Sequence, residues 1–279
     1  MKEVNHFRRF LLWYLATTIP LTLIVVLVLA PGMPPGNGTV QASAVVADNT
    51  VFLGVASVIF MAVLVFFVYS LIAFRERNPS VVTEGPAIRG HPQIQLWWIV
   101  VTMGIVLFLT AYGTIRLLEG GSGGGQGPNP IAVPSPPAGT KPLQVQVIAQ
   151  QWQFTYRYPA YGGVETPSIE LPTNTLVEFH VTSLDVIHSF WAYQLNVKAD
   201  ANPGVDNIAY AQTKGPLFFN VRCSELCGLW HGYMFNSGRV VPRAQFASWI
   251  ALQQRQFGAA RRSLPPYTRQ YFPTPLRRG

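Results

Sequence analysis

Cys223-Ser224-Glu225-Leu226-Cys227-Gly228-Leu229-Trp230-His231-Gly232-Tyr233-Met234 places two thiols, an imidazole and a thioether in one short loop interrupted by glycine. Soft ligands packed this closely select copper over harder metals. The chain's two cysteines are both here, and another imidazole, His188, lies upstream in Asp185-Val186-Ile187-His188-Ser189-Phe190. With three residues between them, Cys223 and Cys227 can turn both sulfurs to one side of a tight loop and share metal ions. Each would bind as the thiolate, its pKa lowered by the metal. A mononuclear blue-copper site needs one cysteine, two histidines and a weak axial thioether. His188, His231 and Met234 complete that set with either cysteine, which leaves the other in excess. Two bridging thiolates with one histidine on each metal describe a dinuclear centre instead. The competing readings are a disulfide, common for paired cysteines outside the cytoplasm, and a zinc site of two cysteines and two histidines. The wide separation of the histidines and the unused methionine count against zinc. His231 and Met234 are also spaced like neighbours on a helix face, but Gly228 and Gly232 argue for a loop.

The loop and the Asp185 to Phe190 segment together resemble the dinuclear copper centre, CuA, of subunit II of haem-copper oxidases of the cytochrome c oxidase type. Two further segments agree: Lys198-Ala199-Asp200-Ala201-Asn202-Pro203-Gly204, and the aromatic stretch Gln151-Trp152-Gln153-Phe154-Thr155-Tyr156. The resemblance covers residues 50 to 255 and implies a cupredoxin-like Greek-key barrel with both ligand segments at one end. Carried over by position, it implies that Cys223 and Cys227 bridge the coppers. His188 and Met234 would complete one metal, and His231 with the backbone carbonyl of Glu225 the other. The Glu225 side chain would reach a magnesium ion at the contact with the catalytic subunit, and Trp152 would receive the electron. Asp185 is positioned to orient His188 or, more simply, to cap a turn. Lys198 and Asp200 would face the catalytic subunit.

The rest of the chain fits a membrane-bound protein. Only 11% of its 279 residues are charged, and three apolar windows, 10–30, 51–74 and 94–117, are each long enough to cross about 30 Å of hydrocarbon. Arg116 sits at a window's end, where it can snorkel, and Trp97 and Trp98 read as interfacial anchors. Lys2, Arg8 and Arg9 precede the first window, and Arg75, Arg77 and Arg89 lie between the second and third. By the positive-inside rule both groups belong in the cytoplasm. The amino end is then inside and everything after Leu118 periplasmic, anchored in the inner (plasma) membrane. The first window has the alternative reading of a secretory signal with Ala42-Ser43-Ala44 as its cleavage site, but its apolar run is longer than such signals carry.

The expected organisation is therefore a membrane region over 1–118, a Gly/Pro-rich linker over 119–140, an all-β domain over 141–257 and a basic tail over 258–279. Alternation in Gln144–Val147 and Leu176–Val181 predicts strands, with turns at 159–163, 172–174 and 203–204. Phe246, Trp249 and Ile250 predict a helix that starts at Pro242 and packs on the barrel. The tail, with Arg261, Arg262, Arg269, Arg277 and Arg278, reads either as an arm on a partner or lipid surface or as solvated chain. His6, His91 and His180 lack a motif and are expected in surface or strand roles.

The resemblance implies an electron-entry subunit, not catalytic alone, that takes electrons from cytochrome c or another periplasmic donor. It would pass them to haem in subunit I, where dioxygen is reduced and protons are pumped, with subunit III also present and no nucleic acid involved. Alternatives are subunit II of a quinol oxidase, which typically lacks the copper ligands, and a membrane-anchored copper carrier, which would need neither the Trp152 strand nor the Lys198 segment. Two positions depart from the family pattern: Gln95 stands where a glutamate often precedes the tryptophan of the last membrane helix, and Val205 where an arginine usually follows Pro-Gly. In the expected all-β domain, 141–257, seven carboxylates, Glu165, Glu170, Glu178, Asp185, Asp200, Asp206 and Glu225, face a larger number of lysines and arginines. Steering of a lysine-rich donor is then expected to be weak.

Overall fold

A computed structural model describes residues 5–33, 36–75, 87, 89–119 and 130–259. Lys2, Arg77, residues 120–129 of the expected linker and 260–279 of the expected tail lie outside the described residues. The chain divides into two compact units, Met1–Met33 with Ala47–Ile115, and Pro34–Val46 with Arg116–Gly279.

In the first unit, three apolar helices are long enough to cross a membrane. α1 (His6–Ile24) continues through a wider turn at Val25–Leu29, α2 spans Val40–Ala73 and α3 Pro92–Leu118. Asn5 starts α1 by accepting a hydrogen bond from the Arg8 backbone N–H at 2.9 Å, which moves the start ahead of the apolar window. His91 does the same for α3 through Nδ1 and the Ile94 N–H, at 3.3 Å. Polar contacts join α1 and α2. Thr22 and Ser57 hydroxyls lie 2.9 Å apart, and His6 Nδ1 is 2.9 Å from the Tyr69 hydroxyl. In hydrocarbon such groups have no water to bond, so the pairs also fix which helix faces meet.

The second unit is an all-β sandwich. One sheet has the order β3-β2-β1-β5-β8, built from β1 (Leu143–Gln150), β2 (Gln153–Tyr158), β3 (Val164–Thr166), β5 (Leu176–Ser183) and β8 (Asn207–Gln212). The other has the order β4-β10-β9-β6-β7, built from β4 (Ile169–Pro172), β6 (His188–Ala192), β7 (Val197–Ala201), β9 (Leu217–Cys223) and β10 (Phe235–Val241). β1 runs parallel to β5 and β4 to β10, and every other pair is antiparallel. Inward-facing aromatics fill the space between the sheets. Phe190 is fully buried, with the rings of Phe179, Phe154 and Tyr156 at 5.5, 6.0 and 6.3 Å. α4 (Arg243–Phe257) follows Pro242 and buries Phe246 and Ile250, while Trp249 packs edge-on against Tyr158 at 5.5 Å. The expected turns and the expected helix are all present.

A strap crosses this sandwich from far upstream in the chain. The Gly38 N–H donates to the Gln194 carbonyl at 2.9 Å, and the Gly38 carbonyl accepts from the Lys214 N–H at 3.0 Å. A side chain at Gly38 would collide with Leu217, its Cβ only 2.2 Å from that residue's methyl. Thr39 is fully buried; its hydroxyl donates to the Leu195 carbonyl at 2.8 Å and accepts from the Ala42 N–H at 3.0 Å, capping α2. The Gln41 side-chain oxygen accepts from the Gln212 N–H at 2.8 Å. α2 therefore starts eleven residues before the apolar window that announced it.

On β5, His180 is 6% exposed and lies between two carboxylates, 2.8 Å from Asp206 and 2.7 Å from Glu178. Burial pulls its pKa down, but the bonds to Asp206 and Glu178 outweigh that and raise it to about 9. The same bond from His180 holds the Glu178 carboxyl below its ordinary range.

Candidate metal centre

Both ligand-bearing segments sit where β6 and β9 lie side by side. Phe190 pairs with Cys223 in antiparallel register, so His188 at the start of β6 and Cys223 at the end of β9 emerge at the same end of the sandwich. The Cys223 N–H donates to the Met234 carbonyl at 3.0 Å and closes the loop, and the Ser224 N–H donates to Ser189 at 3.0 Å, binding it to the His188 segment. Inside the loop Gly228 adopts φ +108°, a backbone state that side chains disfavour. A short helical turn at His231–Tyr233 then points His231 back at the cysteines.

Cys223 Sγ lies 3.7 Å from Cys227 Sγ, well beyond the ~2.05 Å of a disulfide, and both thiols are free. His188 Nδ1 is 3.8 Å from the Cys223 sulfur, and His231 Nδ1 is 3.5 Å from that of Cys227. Met234 Sδ lies 3.8 Å from Cys227 Sγ, and the Glu225 carbonyl oxygen 3.1 Å from Cys223 Sγ. The ligand atoms of His188, Cys223 and Cys227 fall within 4.8 Å of one another. His188 and Met234 are shut off from solvent, at 0% and 1% exposure. Burial, and then the neighbouring Cys223, push the Cys227 thiol up to about 12. A metal must displace that proton to bind. Two thiols 3.7 Å apart, an imidazole beside each, a thioether and a carbonyl make a donor set suited to soft metal ions.

Around these donors runs a second set of contacts. Asp185 both orients His188 and caps its own turn. Its Oδ1 is 2.8 Å from His188 Nε2 and accepts from the Val186 N–H at 2.7 Å, and its Oδ2 accepts from the Gln151 N–H at 2.7 Å. The carboxyl stays below its ordinary range: burial opposes this, but the hydrogen bonds from the Gln151 N–H and from His188 prevail. Trp152 Nε1 donates to the Cys227 carbonyl at 3.0 Å, and Gln151 Nε2 donates to the same oxygen at 2.9 Å. The sequence singled out Trp152 and passed over Gln151, whose only signal was its place beside that tryptophan. The Glu225 side chain is exposed, next to an open groove bordered by Gln151, Asp185, Pro203 and Cys227. Asp200 accepts from the Ser189 hydroxyl at 2.7 Å, and Lys198 is exposed on β7. Leu226, Leu229 and Tyr233 form an apolar rim, at 80, 83 and 72% exposure.

The family model described as cytochrome c oxidase subunit II, periplasmic domain, matches residues 166–240. The chain is similar to a probable cytochrome c oxidase subunit 2 of Rickettsia prowazekii, 32% identical over 227 residues, covering 73% of this chain and 66% of that protein. A probable cytochrome c oxidase subunit 2 of Rickettsia bellii is 29% identical over 244 residues, covering 80% and 83% respectively. The crystal structure of the periplasmic domain of subunit II of cytochrome oxidase of Bradyrhizobium japonicum aligns with a TM-score of 0.41 and 31% identity, over 42% of this chain and 98% of that one. The chain thus spans slightly less than two thirds of the Rickettsia prowazekii relative. Three apolar helices followed by a β-sandwich, a loop rich in soft donors and these sequence relatives agree, and the chain belongs to the cytochrome c oxidase subunit II family, for which copper is the implied metal.

Proposed function

We propose that this chain is the electron-entry subunit of a respiratory haem-copper oxidase, carrying a dinuclear copper centre. The observation that carries the reading is the pair of free thiols 3.7 Å apart, each with an imidazole within 3.8 Å. Cys223 and Cys227 would bridge both coppers, with His188 and Met234 on one, and His231 and the Glu225 carbonyl on the other. A copper pair held there would supply one-electron chemistry with little rearrangement, because its charge would be shared between two metals.

The chain's own residues supply the conditions for fast transfer. The buried aromatic core beneath His188 excludes water, which keeps the cost of solvent reorganisation low. Asp185 holds the His188 ring in one orientation through Nε2, leaving Nδ1 directed at the metal site. Trp152, half-buried and bonded to the Cys227 carbonyl, offers a short entry path from the surface. His231, beside Cys227 where His188 is beside Cys223, would be the exit toward haem in subunit I, where dioxygen would be reduced to water with proton pumping. Glu225, exposed beside the loop, would reach a magnesium ion at that contact, with subunit III completing the complex. By the positive-inside rule, Arg8, Arg9, Arg75 and Arg89 favour an amino end in the cytoplasm and a β domain in the periplasm, anchored in the inner membrane. The donor is a cytochrome c or copper protein that docks mainly through apolar contacts with the exposed rim.

Copper analysis and electron paramagnetic resonance of the mildly oxidised, copper-loaded chain test this reading. The expected result is two coppers per chain and a multi-line spectrum from one electron shared by two nuclei. One copper with a single-nucleus spectrum, or a disulfide with no tight copper, refutes it and favours a copper carrier.

A further inference from the structure

We propose that Gln151 is a positioning residue that ties the two ligand-bearing loops together and tunes the metal pair through the carbonyl of Cys227; this rests on the dinuclear copper reading above. Gln151 touches neither a thiol nor an imidazole, yet it reaches both loops. Its backbone N–H donates to Asp185 Oδ2 at 2.7 Å, and the other oxygen of that carboxylate holds His188 Nε2 at 2.8 Å. Its side-chain amide donates to the Cys227 carbonyl at 2.9 Å. One residue between β1 and β2 thus completes a hydrogen-bonded chain from the His188 imidazole to the Cys227 backbone.

The Cys227 carbonyl accepts two N–H groups, from Gln151 and Trp152, which fills the capacity of that oxygen. Room for both donors depends on Gly228. A Cβ there would stand 3.1 Å from Gln151 Nε2 and 3.5 Å from the Trp152 ring, in a backbone state of φ +108°. Both N–H dipoles point their positive ends at the peptide that carries a bridging sulfur. They therefore favour the state with the added electron and raise the reduction potential. They also link the Trp152 ring and the Gln151 amide to one atom of the metal loop, so that His188 and Cys227 keep their separation when the charge changes.

The test uses the full copper-loaded chain with three substitutions. Gln151→Glu keeps the side chain's shape but replaces the donor with an acceptor, Gln151→Ala deletes it, and Gln153→Ala alters an exposed neighbour two residues along. Gln151 is itself largely exposed, so these changes remove little packing. Spectroelectrochemistry should show the one-electron equilibrium shifted toward the oxidised form by up to ~10-fold in Gln151→Glu, equivalent to about 59 mV. Gln151→Ala should fall between that and the parent, with Gln153→Ala unmoved. Copper affinity should fall ~10-fold or more in both Gln151 variants, as for other groups that hold metal ligands, with altered copper hyperfine splitting. Unchanged potential and splitting in both variants, or equal shifts in Gln153→Ala, would overturn the proposal while leaving the copper reading intact. A parent spectrum from a single copper nucleus would overturn both.

Discussion

Replacing His180 with glutamine should remove a block of stability that is present at neutral pH and absent at alkaline pH. In the folded domain the imidazole titrates at about 9, against an ordinary value of 6.5, because Asp206 and Glu178 both bond to it. A group whose folded pKa is raised stabilises fully below its unfolded pKa and loses that contribution as pH climbs through the folded one. For His180 the stabilisation is complete below pH 6.5 and lost through pH 9. The shift corresponds to about 3 kcal/mol in full, and solvent screening of the partly accessible carboxylates leaves roughly 2 kcal/mol at pH 7. For a domain of this size that is a difference of roughly 5–8 °C in melting temperature. The assay is thermal unfolding of parent and His180→Gln between pH 6 and pH 10, followed by tryptophan fluorescence. The variant supplies the baseline for other groups that titrate in the same range, notably the Cys227 thiol. The gap between parent and variant should be widest near pH 6 and close by pH 10. A gap that stays constant across the range, or widens with pH, refutes the assignment of a charged imidazole held by two carboxylates.

Copper loading of the metal-free chain at pH 7 should release about two protons per chain, since both thiols must ionise and Cys227 holds its proton up to about 12; titration calorimetry in buffers of different ionisation enthalpy measures this. Gly238→Ala should destabilise the sandwich by about 1–3 kcal/mol in chemical unfolding, because the new methyl would stand 2.4 Å from Phe219 and 2.7 Å from the Ile169 carbonyl. Thr39→Ala should cost about 1–2 kcal/mol by the same assay, from the lost cap of α2 and the unpaired Leu195 carbonyl, although residue 39 lies far from the sandwich in sequence.

The cluster of soft donors was legible because its members occupy two short segments of unusual composition, and the register of β6 against β9 converts those segments into neighbours. Strand alternation announced β1 and β5, and the spacing of Phe246, Trp249 and Ile250 announced α4. The start of α2 was not legible. Hydropathy reports which residues suit a bilayer, whereas Thr39 and Gln41 stop being ordinary polar residues only once Leu195 and Gln212 arrive beside them. His180 was hidden for a related reason. Its partners lie two residues away on its own strand and 26 residues downstream, a pattern that matches no motif. Gln151 carried no signal of its own, since an amide acquires a role only when a carbonyl meets it.

The strap at Gly36–Ser43 also bears on the order in which the molecule is made. Its residues emerge from the ribosome long before their partners: Thr39 precedes Leu195 by 156 positions and Gln41 precedes Gln212 by 171. Closing the sandwich on this piece is a long-range step, and closures of this kind slow folding. A fragment cut to begin at Lys141 would leave the Leu195 carbonyl and the N–H groups of Gln212 and Lys214 without these partners. A soluble version of the β domain should carry residues 36–43 as a grafted peptide, so that its edge is closed as it is in the whole chain.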